Sequence, residues 1–239
     1  FNPDIATFTR YIHTPSDSSS ISSNDITAIL EEKNGILWIG TFGGGLNRLY
    51  TRTGQVTIYQ NDPNDRISLG NDSIMTIIKD SHGIIWIGTA GGGLSRYDAE
   101  TDTFDNFTTN DGLPNNVVYG ILEDDSGNLW LSTNFGLSRF DPGAKTFRNF
   151  TASDGLQGNE FSRNAFAKGT SGEMYFGGIR GLTVFAPAEI KTSNYIPPVI
   201  ISSLTRNGEP LKLDLPVEEI QEITLRWPNN GFEFEFAAL

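Results

Sequence analysis

The sequence has no cysteine, and it contains two histidines and two methionines among 239 residues. The absence of cysteine excludes disulfide scaffolds, thiolate metal sites and cysteine nucleophiles. Basic residues are also few, because 17 lysines and arginines stand against 29 acidic residues and give a net charge of −12. A surface this negative repels phosphate backbones and anionic lipid headgroups, so we expect no nucleic-acid partner.

Long apolar runs are missing too. No stretch approaches the roughly 20 residues that span a bilayer, so contact with a membrane would need segments outside this sequence. The sequence begins with Phe1 rather than methionine and ends near the alternating run 232–236, and we therefore expect it to be a section of a longer protein. Its 37% hydrophobic residues are enough to bury a core.

The most informative feature of the chain is that it repeats itself. Three similar segments and a weaker fourth follow one another at residues 26–50, 74–98, 117–141 and 161–185. One aromatic position recurs in all four segments at spacings of 48, 44 and 45 residues. This position is filled by Trp38, Trp86, Trp130 and Tyr175. Such a period is typical of arrays that are built from one supersecondary unit.

Each unit predicts four short strands. The first is followed by a tight turn, as at Lys33-Asn34-Gly35, where Asn-Gly suits the positive φ angles of hairpins. The second ends in a glycine-rich bend, the third carries Leu-x-Arg-aromatic, and the fourth carries an aromatic pair. Four strands per unit of about 45 residues predict an all-β propeller. The predicted blades cover about residues 24–60, 71–108, 115–151 and 159–187.

The two ends of this array are predicted to be incomplete. Phe8 and Tyr11 share the spacing of the fourth-strand pair, so we expect a partial blade at residues 1–11 whose outer strand completes the last blade. About four blades are the low limit for a closed ring, and a partial ring or an arc is therefore predicted. Exposed blade edges would promote self-association into a homodimer or a larger assembly.

The pattern changes after the fourth unit. Strand patterns occur at residues 199–215, around Asn207-Gly208, and again at 222–227 and 231–236, where phenylalanine alternates with glutamate. We therefore divide the chain into a propeller region, residues 1–190, and an incomplete β-sandwich, residues 196–239.

The repeat units resemble a known family. Residues 116–140 follow the pattern Asn-x-Ile-x-x-Ile-x-x-Asp-x-x-Gly-x-Leu-Trp-Ile-Gly-Thr-x-x-Gly-Leu-x-Arg-aromatic almost throughout, and residues 25–49 and 72–97 follow it closely. This is the pattern of the two-component regulator propeller repeat. Residues 196–239 resemble the opening of the immunoglobulin-like domain, often named for its three tyrosines, that follows such propellers. The fourth unit departs from the pattern, since Tyr175 replaces tryptophan.

The resemblance implies a function in signal transduction. Proteins of this type are bacterial sensors whose periplasmic propellers lead through one membrane helix to a histidine kinase of a phosphorelay or to a diguanylate cyclase, and many of them sense carbohydrates. It implies that this chain is a ligand-sensing, non-catalytic region of an inner-membrane receptor. A small polar ligand, such as an oligosaccharide, is the partner that the resemblance implies.

The sequence offers little for catalysis or for a cofactor. His82 occupies a turn position, His13 lies in a connection, and no residues have metal-ligand spacing. We therefore predict no metal and no cofactor. The adjacent acids Asp124 and Asp125 are explained by the polar residues that a turn needs. The repeated arginines are predicted to be structural, through ion pairs or stacking between blades, and they are Arg48, Arg96 and Arg139.

Residues that break the repeat are the candidates for ligand binding. Propeller ligands usually bind over the central channel, on the face that is formed by the bends between second and third strands and by the inter-blade connections. The candidates on this face are Asn134, Phe135, Arg163 and Arg180. An aromatic ring beside fork-shaped donors suits a sugar or an anionic sugar.

Two other functions stay open at this point. A propeller lyase of the streptogramin-cleaving type would need a histidine on the channel face, and neither histidine is well placed for this. A scaffold that binds protein partners would be favoured by a large apolar patch on the loop face. The loops of this chain are polar and rich in glycine.

Overall fold

The computed structural model describes residues 8–190, 199–206, 208–210 and 231–238. Within these residues the regular structure is β-strand apart from three short 3₁₀ turns, which confirms the predicted all-β class. The contacts divide the chain into two units, Phe1–Ile190 and Lys191–Leu239. None of the helices in the part of the chain that the structure describes is long and apolar enough to cross a bilayer.

The first unit contains fifteen strands in its described residues. In chain order they are β1 (Ile26–Glu32), β2 (Ile36–Thr41), β3 (Leu46–Tyr50), β4 (Gln55–Tyr59), β5 (Ile74–Lys79), β6 (Ile85–Thr89), β7 (Leu94–Asp98), β8 (Thr103–Phe107), β9 (Val118–Glu123), β10 (Leu129–Thr133), β11 (Gly136–Asp141), β12 (Thr146–Phe150), β13 (Phe161–Lys168), β14 (Met174–Gly178) and β15 (Gly181–Phe185).

Consecutive strands form four separate antiparallel sheets, which we call blades 1 to 4. Blade 1 is β1–β4, blade 2 is β5–β8, blade 3 is β9–β12 and blade 4 is β13–β15. This succession of small sheets confirms the predicted propeller architecture. The outer strand that we expected to complete blade 4 is not found in residues 8–11, which form no strand. Residues 1–7, the rest of the predicted partial blade, lie outside the described residues.

The turns between first and second strands have the conformations that the sequence predicts. Asn34 and Gly35 have φ angles of 71° and 76°, so both central residues adopt the left-handed backbone that a tight hairpin requires. In blade 2, one carboxylate oxygen of Asp80 accepts the backbone N–H groups of His82 (2.9 Å) and Ile84 (2.8 Å). This contact confirms that His82 is a hairpin residue.

The recurring aromatic residue has the same register in every blade. Trp38 lies opposite Leu30 on β1 and Arg48 on β3. Trp86 and Trp130 have the corresponding neighbours in blades 2 and 3. Tyr175 lies opposite Ala167 and Val184, so its backbone position is that of the tryptophans although its chemistry differs.

Each tryptophan is buried between its own blade and the next. Trp38 packs in one cluster with Ile74 and Ile77 of blade 2. Trp86 packs with residues of blade 3, and Trp130 packs with residues of blade 4. An aromatic side chain buries about 150–250 Å², which at about 25 cal/mol per Å² gives an upper bound of roughly 4–6 kcal/mol per indole. Each of the three junctions therefore contains one buried indole within a larger apolar cluster.

The buried indole N–H groups share one type of acceptor. Trp86 Nε1 donates to Asp80 (2.8 Å) and Trp130 Nε1 donates to Asp124 (2.9 Å), while Trp38 Nε1 donates to Glu32 (2.8 Å). The acid precedes the tryptophan by six residues in all three blades. We predicted only a turn role for Asp124, and this second role was missed. In blade 4 the two positions are Gly169 and Tyr175, so acid and indole are lost together.

The blades pack in sequence through their first strands. β1 contacts β5, β5 contacts β9, and β9 contacts β13. Among residues 8–190, β1 and β13 do not pack against each other in this way. Within this unit, the four blades therefore form an open series rather than a closed ring.

The second unit contains one described sheet. Its strands are β16 (Val199–Arg206), β17 (Glu209–Pro210) and β18 (Phe232–Ala238), in the order β17-β16-β18. β16 and β17 flank Gly208, which has a φ angle of 84°, as the predicted hairpin requires. The strand that we predicted at residues 222–227 lies outside the described residues.

Candidate functional site

The bends between second and third strands share a side-chain contact in blades 1 to 3. A buried threonine hydroxyl donates to a glycine carbonyl across each bend, at 2.8, 3.0 and 2.8 Å. The pairs are Thr41–Gly45, Thr89–Gly93 and Thr133–Gly136. Because each hydroxyl is buried and paired, a side chain of the same blade helps to hold each of these bends.

The bend of blade 4 is held differently. Gly178 stands at the threonine position, and a Cβ added there would lie 2.1 Å from Nε2 of Gln157. The space is used by the Gln157 amide, whose Nε2 donates to the Glu160 carbonyl (3.0 Å) and whose Oε1 accepts the backbone N–H of Arg180 (3.1 Å). The backbone N–H of Gln157 also donates to Thr183 Oγ1 (3.0 Å). The inter-blade connection 151–160 therefore fixes the bend 178–181.

These two segments enclose a cavity of about 210 Å³. Its lining residues are Ala152, Gly158, Asn159, Glu160, Ile179 and Arg180. Gly158 lies next to the Arg180 side chain, since a Cβ added at this glycine would be in van der Waals contact with Cδ of Arg180 at 3.4 Å. The cavity offers a guanidinium, a carboxylate and an amide beside two apolar side chains. Such a mixture suits a small polar ligand.

The structure places the four predicted site residues on two neighbouring blades. Arg180 lines the cavity, and its side chain is exposed. Asn134 and Phe135 form the adjacent bend of blade 3, where Asn134 Oδ1 accepts the Tyr119 hydroxyl (3.1 Å) and Phe135 is 51% exposed. Neither lines the cavity. The backbone links the two bends, because Gly136 N–H donates to the Asn159 carbonyl (2.6 Å).

Arg163 lies in a bulge that is longer than the bulge at the same point of the other units. We placed it at a first-strand position that other units fill with apolar or small residues. In the structure, residues 162–165 face Gly177 alone, between the pairs Phe161↔Gly178 and Phe166↔Phe176. The first strands of blades 1 to 3 each have only one extra residue at this point. Arg163 is exposed and does not line the cavity. Such bulges are common beside functional sites.

Gln157 is the site residue that the sequence analysis missed. The signal was present, because glycine at position 178 replaces a threonine that the other three units share. The role of Gln157 could not be predicted from this replacement, because the side chain that fills the space at Gly178 comes from a different segment of the chain.

The repeated arginines have three different environments. The Arg48 guanidinium lies 5.3 Å from the Trp38 ring centroid and donates to the Tyr97 hydroxyl of blade 2 (3.3 Å), which confirms stacking and an inter-blade contact. Arg96 instead pairs with Asp105 of its own blade (2.5 Å). Arg139 lines a crevice of about 140 Å³ between blades 3 and 4. A corresponding crevice of about 370 Å³ lies between blades 1 and 2, so these crevices are features of the repeat.

The two histidines do not meet at the cavity. His82 belongs to the β5–β6 hairpin, at the end of β6 opposite to the bend at Gly91. The Nδ1 of His13 donates to the Ile21 carbonyl (2.8 Å), a partner that the sequence analysis did not find. Within the described ranges, no group of three or more His, Asp or Glu side chains could hold a metal ion.

The bends also carry exposed apolar side chains. They belong to blades 1, 3 and 4 and are Phe42, Phe135 and Ile179. The loop face is therefore less polar than we predicted from the glycine-rich loop sequences.

Comparison with known proteins supports the family resemblance. The two-component regulator propeller model matches residues 20–43, 68–91 and 112–135. The extracellular domain of the hybrid two-component system BT3049 from B. thetaiotaomicron is 30% identical with a TM-score of 0.73, over 98% of this chain and 32% of that one. Histidine kinase P4 from Formosa agariphila is 28% identical over 133 residues, which are 53% of this chain and 10% of the kinase.

A lyase shares only the fold. Virginiamycin B lyase from Staphylococcus aureus is 17% identical with a TM-score of 0.51, over 75% of this chain and 60% of the lyase. The chain spans about a third of the BT3049 domain and a tenth of the kinase. The chain thus contains two-component regulator propeller repeats and is similar in sequence and fold to part of the extracellular domain of a hybrid two-component system.

Proposed function

We propose that this chain is a ligand-sensing region of a bacterial membrane receptor, that it lies in the periplasm and that it performs no chemistry itself. The observation that supports this most is the likeness to the BT3049 extracellular domain, which extends over 98% of the chain. The match to a histidine kinase favours a kinase over a diguanylate cyclase as the output domain. Binding would bias a two-state equilibrium that the output domain reads.

We further propose that the ligand is a carbohydrate or another small polar molecule, bound on the loop face of blades 3 and 4. The half-exposed ring of Phe135 provides an apolar platform of the kind on which sugars stack. Arg180 provides paired donors at the cavity. Asn134 and the bulge residue Arg163 add polar groups on the same two blades.

Calorimetric titration with neutral and uronic-acid oligosaccharides tests this proposal. Losing charge-assisted hydrogen bonds costs about 1.5–3 kcal/mol, so Arg180→Ala should weaken binding roughly tenfold or more. Phe135→Ala should weaken binding as well. Arg52→Ala is the matched control, because Arg52 is exposed in the β3–β4 turn and the charge change is the same. Equal affinities of Arg180→Ala and Arg52→Ala would remove the cavity from the site.

A protein-binding scaffold is the second candidate. The exposed apolar side chains Phe42, Phe135 and Ile179 on three bends favour it, since apolar groups on one face are typical of partner surfaces. The lyase alternative needs a histidine near the bends. His13 is engaged with a backbone carbonyl and His82 lies at the opposite end of its blade, so neither favours it.

A further inference from the structure

The crevice between blades 1 and 2 is lined by one arginine from each of these blades. It encloses about 370 Å³, which is within the size range of small-molecule sites. Arg48 of β3 and Arg96 of β7 both line it. The crevice between blades 3 and 4 has Arg139 alone, because Val184 stands at the arginine position of blade 4. Two guanidinium groups therefore meet the same enclosed space at the first junction.

Arg48 is a cation without an acid beside it. On the neighbouring strand Thr57 stands opposite Arg48, whereas Asp105 stands opposite Arg96. Among the residues that the structure describes, no carboxylate is close enough to Arg48 to form an ion pair. The charge of Arg48 is therefore not neutralised by a direct contact, although this charge is enclosed between two blades.

Aromatic residues fix the orientation of the Arg48 guanidinium. Its carbon atom Cζ lies 5.3 Å from the ring centroid of Trp38 and 5.3 Å from that of Tyr50. It also donates a hydrogen bond to the Tyr97 hydroxyl (3.3 Å). A guanidinium that is oriented by stacked rings loses little side-chain freedom when it binds a ligand.

Both arginines have more hydrogen-bond donors than acceptors around them. A guanidinium has five N–H groups, and the Nε atoms of Arg48 and Arg96 are buried without a hydrogen-bond partner in the described part of the chain. Arg96 uses Nη2 for Asp105 (2.5 Å). Buried donors without a partner are uncommon in native proteins, so the two guanidinium groups have capacity for a further acceptor.

The acids of the crevice limit the charge of a ligand. They are Glu32, Asp98 and Glu100, of which Glu32 is paired with Lys79 (2.6 Å). These carboxylates and the net charge of −12 disfavour a dianion such as phosphate. A single carboxylate group matches the planar fork of an arginine. The lining carboxylates are themselves acceptors, so hydroxyl groups on the same ligand would find partners in the crevice.

We propose that this crevice binds a small hydroxylated carboxylate, such as a hydroxy acid or a sugar acid. Arg48 and Arg96 hold its carboxylate, and the lining acids accept its hydroxyl groups, so the ligand connects blade 1 to blade 2. The site lies at the end of the blades that carries the β5–β6 hairpin, since His82 and Gly83 line it. This end is opposite to the bends, and the proposal is therefore independent of the loop-face cavity.

Calorimetric titration with sodium glucuronate at constant ionic strength tests this site. The parent is the 239-residue chain with Arg180→Ala, so that the loop-face cavity does not contribute. Glucuronate should bind with one-to-one stoichiometry. Glucose lacks the carboxylate and acetate lacks the hydroxyl groups, so each should bind at least about tenfold more weakly.

Two substitutions in this parent test the arginines. Arg48→Gln and Arg96→Gln should each weaken glucuronate binding at least about tenfold, because each removes a charge-assisted hydrogen bond. Arg52→Gln is the matched control, since Arg52 is exposed in the β3–β4 turn and the charge change is the same. Circular dichroism should show that the variants are folded. Arg96→Gln keeps the test decisive if loss of the Arg48 stacking unfolds blade 1.

Four outcomes would overturn the proposal. They are no saturable binding of glucuronate, equal binding of glucose and glucuronate, equal affinity of the Arg96→Gln and Arg52→Gln chains, and tighter binding of phosphate or alanine than of glucuronate. The last would assign the crevice to a dianion or to an ammonium group. Each leaves the titrations of Arg180 and Phe135 variants unaffected, so the two proposals fail separately.

Discussion

In the repeat, a single carboxylate accepts hydrogen bonds both from the backbone of a turn and from a buried indole. In blade 2, one oxygen of Asp80 orders the turn by accepting two backbone N–H groups, and the other accepts the indole N–H of Trp86. Both Asp80 and Trp86 are buried. A buried indole N–H without a partner would cost about 1–3 kcal/mol. The carboxylate removes this cost, so a tryptophan can be buried at this position.

Replacing this acid should destabilise the protein. Asp80→Ala should lower the free energy of unfolding by about 2–4 kcal/mol, since it leaves the indole N–H and two turn amides without their acceptor. Asp80→Asn keeps one acceptor oxygen and should cost less. The measurement is the urea midpoint followed by circular dichroism. Glu100→Ala is the control, because Glu100 is exposed and its carboxylate has no hydrogen-bond or ion-pair partner among the residues that the structure describes. Equal midpoints for the two alanine variants would contradict this role.

The bend of blade 4 lacks the threonine of the other bends and is held by a side chain from the preceding connection instead. In blades 1 to 3 the bend depends on a threonine of its own blade. In blade 4 it depends on Gln157, which belongs to the connection that precedes the blade. The position of Arg180 is consequently coupled to that connection.

This coupling predicts a change in local opening. Gln157→Ala removes the acceptor of the Arg180 backbone N–H, so peptides that contain residues 178–181 should exchange hydrogen faster. Gly178→Thr should have the same effect, because its Cβ would collide with the Gln157 amide. Gln55→Ala, at an exposed position on β4, is the control. Unchanged protection in Gln157→Ala would show that the bend holds itself.

The sequence predicted elements better than it predicted the site. Turn residues such as Asn34-Gly35 depend only on local backbone conformation, and the repeated tryptophan is visible from its period. Together they locate the strands in the sequence. The surroundings of Arg163 depend on the number of extra residues that β13 has in its bulge opposite β14. The fourth unit is only weakly similar to the others, so its alignment with them did not reveal these extra residues. Arg96 was expected to link blades but pairs with Asp105 of its own blade, because strand period alone does not determine which acid an arginine contacts.

The whole array is joined at its rim by polar contacts that differ at each junction. Lys79 of blade 2 pairs with Glu32 of blade 1 (2.6 Å), and Lys168 of blade 4 pairs with Asp125 of blade 3 (2.7 Å). Between blades 2 and 3, the Ser81 hydroxyl donates to Glu123 (2.5 Å). Exposed pairs contribute only about 0–1 kcal/mol each. The apolar junctions therefore supply most of the stability, and these contacts mainly set how neighbouring blades align.

The Glu32 contact should make the first junction sensitive to acid. Burial raises the pKa of Glu32, but the hydrogen bonds from Lys79 and Trp38 outweigh it, so the pKa is lowered. A lowered pKa adds stability above the unfolded-state value of about 4.3, and this stability is lost as the pH falls through the folded-state pKa.

The measurement is the urea midpoint of the parent chain and of Glu32→Gln between neutral and acidic pH. The parent should lose more stability than the variant as the pH falls through this range, and the two curves should converge at the acidic end. Parallel curves across the whole range would contradict the contribution of Glu32.

The enclosed indoles have an optical consequence. Trp38, Trp86 and Trp130 each occupy a different junction and are almost completely shielded from solvent, and the fourth tryptophan, Trp227, lies outside the described residues. If neighbouring sheets separate, water reaches one ring and its emission shifts to longer wavelength. Each of these three junctions thus contains its own fluorophore, and replacing Trp227 and two of the three by phenylalanine would assign the emission change to the junction that opens.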